Sequence, residues 1–384
     1  MKLLFINYQA LPIPAVKGGA VEYLVDSFLK YNEIHNLHDI TLYSIYDKQA
    51  ESESLDYKKT KFRFIKIQSV WDKCKRAVRH LINKHTPFYI GNAYICKIIN
   101  EIKNFNEFDK IIIENAPDFG LKIREKYRGT LILHLHNDYL NKKTKNARKI
   151  FDCYDKIYTI SSTLGDIVRE IKASDKVKTL YNGINPEDFK KNGKRDEIRN
   201  KYKIKKDDFV FMYSGRITSD KGVYHLAKAF SEIDNDKLKL VIAGETKNNK
   251  LVNKIKEIKD KRIIFTGFIP YHNMNDIYQM ADVGVIPSVC RDAFNLTVIE
   301  YASNGIPLII SDRGAMKELV NENCSIIVKY DPEGFSDNIK KALLTIANKD
   351  IADMGQQAKK ISEKFTIEGY CKLFNELLEN SCNH

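Results

Sequence analysis

Arg216 and Lys221 lie in GRITSDKG, residues 215 to 222, directly after the apolar run 209–214. Gly215 lets the backbone turn, and the two side chains place cations at the mouth of a strand. A helix opening near Gly222 would add its positive N-terminal end. Three sources of positive potential around one point suit a diphosphate, with arginine offering a fork of donors and lysine a point charge. A solvated turn with incidental charges is the competing reading of so short a motif.

A second constellation lies in IPSVCRDAFNLTVIEYASNGIPLIIS, residues 286 to 311. Asp292 and Glu300 are separated by a short loop and the expected start of a helix near Leu296 or Thr297. The first N–H groups of such a helix have no intrahelical partner and can receive an anion. Glu300, one turn in, could accept hydrogen bonds from ribose hydroxyls, and Asp292 could reach the hydroxyls of a bound sugar. The plain alternative is a strand–loop–helix with Glu300 facing solvent. In LHLHND, His134 and His136 fall on one face of a strand because side chains alternate, with His136 nearer the carboxyl end.

These residues need a frame that delivers strand ends to one place. Apolar runs at 2–7, 40–46, 62–67, 110–114, 131–136, 156–160 and 177–181 alternate with helical patterns. A second series follows at 209–214, 238–243, 263–266, 283–286, 308–311 and 325–328. Strand–helix alternation of this kind predicts parallel sheets covered by helices on both faces. The Asn-, Gly- and charge-rich stretch NGINPEDFKKNGKRDEIRNKYKIKKDD between the series reads as a linker. Ligands of such sheets bind beyond the carboxyl ends of the strands, where the candidate residues stand.

The composition agrees with two globular domains. The chain has 384 residues, 43% hydrophobic and 29% charged, with a formal net charge of +13 that favours anionic partners. Seven cysteines form no CxxC pair and have no histidine at ligand spacing, which argues against a zinc site built on them or a disulfide frame. No apolar stretch reaches the roughly 18 residues of a membrane span. MKLLFINYQALPIP is too short and polar for a secretory signal and reads as a first buried strand.

Taken in order, GGAVEYLV, LHLHND, ISS, LYNGINPEDF, GRITSDKG, LVIAGE, IIFTGFIP, ADVGVIPS with its Asp-x7-Glu segment, and GIPLIISDRGAMKELV span essentially the whole chain. This series resembles family 4 retaining glycosyltransferases of the GT-B fold. The resemblance implies two doubly wound Rossmann-like domains facing a deep cleft. The first, residues 1–184, would be acceptor-side; the second, 185–365, would bind the nucleotide-sugar; and a C-terminal helix, about 366–384, would pack back on the first. It further implies that Arg216 and Lys221 bind the donor diphosphate and Glu300 the ribose. The amides of Asn295, Leu296 and Thr297 would cradle phosphate, and Asp292 would contact the donor sugar. Gly18 and Gly19 would approach the phosphates from the other domain, His136 would orient the reacting centre, and the backbone at Phe268 and Ile269 would face the base. Two positions depart from the family pattern, which has Glu where Asp292 stands and Gly where Asn295 stands. Asparagine tolerates left-handed backbone angles, so the loop need not break.

The implied reaction is metal-independent transfer of a hexose or N-acetylhexosamine, with retention, from a UDP-linked donor to a lipid-linked or cell-surface glycan acceptor. Charge developing on the departing diphosphate would be stabilised by Arg216, Lys221 and the helix terminus. No cofactor and no nucleic-acid partner are expected. From Val70 to Lys84 an apolar stripe with Trp71 faces Lys73, Lys75, Arg76, Arg79 and Lys84. It reads as a helix that either packs on its domain or binds an anionic membrane surface. The expected location is cytoplasmic, peripheral at the inner face of the plasma membrane. Competing readings are a nucleotide-sugar 2-epimerase and a non-catalytic sugar-nucleotide-binding or coat-associated protein.

Overall fold

The computed structural model describes residues 1–67, 90–190 and 192–380. The segment Val70 to Lys84 therefore lies outside the described residues. The chain divides into two compact units, Met1–Asn182 with Ile367–His384, and Gly183–Thr366.

The first unit is built on seven parallel strands, β1 Lys2–Ile6, β2 Asp39–Ile45, β3 Thr60–Ile65, β4 Lys110–Glu114, β5 Thr130–Leu135, β6 Lys156–Thr159 and β7 Val177–Thr179, in spatial order 3-2-1-4-5-6-7. The second has six, β8 Phe209–Ser214, β9 Leu238–Ala243, β10 Ile263–Gly267, β11 Val283–Ile286, β12 Leu308–Ser311 and β13 Ser325–Val328, in order 10-9-8-11-12-13. All thirteen fall where the apolar runs predict strands, with ends moved by a residue or two. The central strands are apolar along their length because helices cover both faces: every residue of β4, β11 and β12 is buried.

In each sheet the chain winds outward from a central strand, then returns and winds the other way. The reversal lies between β1 and β4 in one unit and between β8 and β11 in the other. Strand neighbours diverge there, and the loops beyond their carboxyl ends leave a crevice. GRITSDKG follows β8 and the Asp292 loop follows β11, so the second unit's reversal point gathers both.

The stretch read as a linker is instead folded into the second unit. Arg199, on the helix Arg195–Lys201, is buried. It donates to the Met280 and Asp208 carbonyls and to Asp282 at 2.7 Å. Arg195 takes the other Asp282 oxygen. Composition signalled a solvated connector, but both guanidinium groups satisfy carbonyls just before β11, and that of Arg199 is internal.

The helix Ile367–Glu379 belongs to the first unit. Phe374 is buried, its ring 4.7 Å from Phe28, and Tyr158 Oη donates to the Leu377 carbonyl. Among the described residues no helix is long and apolar enough to cross a membrane.

Candidate functional site

In the second unit, the carboxyl ends of β8, β9 and β10 and the start of the helix Leu296–Ser303 surround a cavity of about 550 Å³. Its lining includes Gly215, Arg216, Glu245, Phe268, Ile269, Tyr271, Tyr278, Thr297 and Glu300. The structure thus brings together five of the expected donor-binding positions. Arg216 is exposed, and among the described residues its guanidinium forms no hydrogen bond or ion pair. Phe268 and Tyr271 leave 66% and 49% of their surfaces open to solvent, an unusual exposure for aromatic side chains beside a cavity.

Glu300 does not face open solvent. It is 7% exposed, and Tyr278 Oη donates to its carboxylate at 2.6 Å. Burial penalises the charged form and pushes the Glu300 carboxyl up to about 7. Tyr278 is itself fully enclosed and also meets Ser214 Oγ at 3.1 Å. The motif reading missed this tyrosine because it comes from the helix Met274–Tyr278, outside any glycine-rich signature.

Lys221 and Asp292 are held by each other. Lys221 Nζ lies 2.5 Å from Asp292 Oδ1, and Ser288 Oγ and Asn295 Nδ2 donate to Oδ2 at 2.7 and 3.1 Å. The expected free Lys221 cation is therefore neutralised here by the carboxylate expected to contact sugar. The two loops are also stitched through backbone, with the Val289 and Cys290 amides both donating to the Asp220 carbonyl. Gly222 is required at this seam: its φ is 69°, and a Cβ would sit 1.9 Å from the Pro287 carbonyl oxygen.

Asn295 corrects the expected geometry in another way. It has φ −111°, not a left-handed angle, and caps the helix by accepting from the Thr297 amide at 3.1 Å. Asparagine suits this position because its side chain satisfies a donor the helix leaves unpaired. One of the three amides expected to cradle phosphate is thus already occupied. The chain's one Asp-x-Asp triplet, Asp234 to Asp236, is exposed at the amino end of β9, opposite the cavity end of that strand.

In the first unit, Gly18 and Gly19 have φ of 73° and 99° and precede the helix Ala20–His35. A Cβ on Gly19 would fall 2.2 Å from the Glu22 carboxylate. Burial raises the pKa of Glu22, with a smaller contribution from Glu114. His136 follows β5 directly and is buried; its Nε2 lies 3.0 Å from Glu114 Oε2. His134 Nδ1 is also 3.0 Å from that oxygen, but off the line a hydrogen bond needs. Burial lowers His136 to about 4, helped by the neighbouring His134. Burial opposes ionisation of Glu114, but the two imidazoles outweigh it and hold the carboxyl down at about 2. Glu114 was not singled out from the sequence, though a lone carboxylate closing the apolar run KIIIE was a usable signal.

Residues 194–361 match the family model described as glycosyl transferases group 1. The putative glycosyltransferase YtcC of Bacillus subtilis is 27% identical, covering 99% of this chain and 92% of that protein. A lipopolysaccharide 1,2-N-acetylglucosaminetransferase of Salmonella typhimurium is 26% identical over 70% of this chain and 72% of its own. Among solved structures, Anabaena Alr3699/HepE in complex with UDP superposes with a TM-score of 0.76 at 16% identity, covering 99% of this chain and all of that one. At that identity the likeness concerns the fold.

Proposed function

We propose that the protein transfers a hexose or N-acetylhexosamine, with retention, from a UDP-sugar to a lipid-linked or cell-surface glycan precursor, a reading supported by the match of residues 194–361 to the group 1 glycosyl transferase model and by the GT-B architecture of the two units. The observation that carries this reading is the cavity between the carboxyl ends of β8, β9 and β10 and the start of the helix Leu296–Ser303. An exposed Arg216 cation, a buried Glu300 acceptor and the exposed Phe268 and Tyr271 rings line one space of about 550 Å³. A nucleoside diphosphate has the matching parts in the matching chemistry: anion, ribose hydroxyls and planar base.

Arg216 takes the diphosphate, Glu300 accepts from the ribose, and the Phe268–Ile269 backbone faces the base. The Leu296 amide and the helix dipole add to the anion site. Lys221 joins it by exchanging Asp292 for phosphate, which frees Asp292 Oδ1 to accept from a sugar hydroxyl. As the glycosidic bond breaks, negative charge grows on the departing diphosphate, and these fixed cations stabilise it without a metal ion. The first unit's contributions in this reading are Gly18, Gly19 and His136.

UDP should raise the melting temperature in the presence of chelator. Ligand at a hundred times its dissociation constant stabilises the fold by about 2.7 kcal/mol. A shift that appears only when magnesium is added would refute metal-independent donor binding. Attachment at the inner face of the plasma membrane through Val70 to Lys84 forms part of the same proposal. Pelleting with anionic vesicles should weaken as salt rises and should be lost when Lys75, Arg76 and Arg79 are changed to Glu.

A further inference from the structure

We propose that Glu114, His134 and His136 form a site for a divalent transition-metal ion, zinc by the chemistry of its donors, enclosed within the first unit. Strand geometry assembles it. Glu114 and His134 are direct partners in the β4/β5 register, so they stand side by side on adjacent strands. His136 lies two residues beyond His134, which returns its side chain to the same face.

The spacing suits coordination. The two imidazole nitrogens each lie 3.0 Å from Glu114 Oε2, and one ligand atom from each residue falls within 4.8 Å of the others. Zinc bound at roughly 2.0–2.1 Å in a tetrahedron holds its ligand atoms roughly 3.3 Å apart. Small side-chain adjustments would close the set.

A second observation points to a missing occupant. Glu114 Oε1 and both His134 nitrogens are buried without a hydrogen-bond partner. The hydroxyl of Tyr370, whose ring stacks on His134 at 6.3 Å, is in the same condition. Interiors rarely leave polar atoms unpaired, and an ion held by the carboxylate and one ring nitrogen of each histidine would answer Glu114 Oε1 and one of the His134 nitrogens. Among the described residues no lysine or arginine forms an ion pair with the Glu114 carboxylate; its charged-state partners are the two histidines. A buried carboxylate is costly unless positive charge faces it, and a divalent ion would add to what the two imidazoles supply. Two imidazoles and one carboxylate favour zinc over magnesium or calcium, which prefer all-oxygen sets.

The inference does not depend on the transferase reading, although His136 has a part in both.

The full chain, purified without a histidine tag or added metal, should carry about one equivalent of zinc by plasma mass spectrometry. Stripping it with chelator should lower the melting temperature by several degrees, and zinc should restore it. Cobalt substitution should give visible d–d absorption. Glu114→Gln and His134→Ala should lose the metal, while His225→Ala in the second unit should keep it. Folded wild-type protein that holds no metal and melts identically with chelator or zinc would overturn the site, leaving a purely hydrogen-bonded cluster. Metal retained by both Glu114→Gln and His134→Ala would overturn it equally.

Discussion

Glu300 concentrates the residue-scale chemistry. Its carboxyl titrates near 7 in the fold against 4.5 when free, so the folded state holds its proton longer than the unfolded state. The resulting destabilisation is absent below pH 4.5, grows as pH rises, and is complete above about pH 7, at about 3 kcal/mol. Ribose hydroxyls donate best to the ionised form, so ligand affinity moves the opposite way. UDP-glucose, whose diphosphate does not titrate in this range, should bind up to about tenfold more tightly at pH 8 than at pH 6. Glu300→Gln should flatten that profile in titration calorimetry and weaken binding at pH 8 by about 1.5–3 kcal/mol. A wild-type affinity that is flat with pH would place the ribose elsewhere.

At the scale of elements, the decisive one is the helix Leu296–Ser303 with its cap. Asn295 closes the Thr297 amide and also donates to Asp292, so it trades an anion-binding N–H for local order. Asn295→Ala should cost about 1 kcal/mol in denaturant unfolding, whereas Asn295→Gly should cost only about a few tenths. Glycine would also leave the Thr297 amide open to a phosphate oxygen. UDP should therefore bind Asn295→Gly at least as tightly as wild type, despite the lost side-chain bonds. Weaker binding to the glycine variant would mean that the Asn295 contact to Asp292 matters more than the freed amide.

For the whole molecule, the chain path couples stability to an element that sequence order attaches to the other unit. The helix Ile367–Glu379 follows directly on residues of the second unit, yet Phe374 fills the first unit's core against Phe5, Phe28 and Tyr158. Phe374→Ala should destabilise the protein by about 3–5 kcal/mol through the cavity it leaves. The loss should be local. Hydrogen exchange should accelerate in β1, β4 and β5 while β8 and β11 keep their protection. Equal acceleration in both sheets would indicate that the units unfold as one.

Period and punctuation in the sequence were sufficient for the thirteen strands and for the loops that end β8 and β11, because strands covered on both faces are apolar along their length and Gly215 and Pro287-Ser288 punctuate those two ends. Residue types and spacing also nominated Arg216, Glu300 and the helix start at Thr297, and the family resemblance added Phe268 and Ile269; all five line one cavity. Partner choice was not legible. That Lys221 is spent on Asp292, that Asn295 caps rather than bends its loop, and that Tyr278 supports Glu300 all depend on side chains from separate elements meeting in space. The charged stretch around Arg199 misled for the same reason: composition records that a residue carries charge, but not whether a buried carbonyl or carboxylate lies within its reach. Glu114 and His134, 20 positions apart along the chain, become neighbours only through the β4/β5 register. Local periodicity fixes which face a side chain takes; only the packed sheet decides what it finds there.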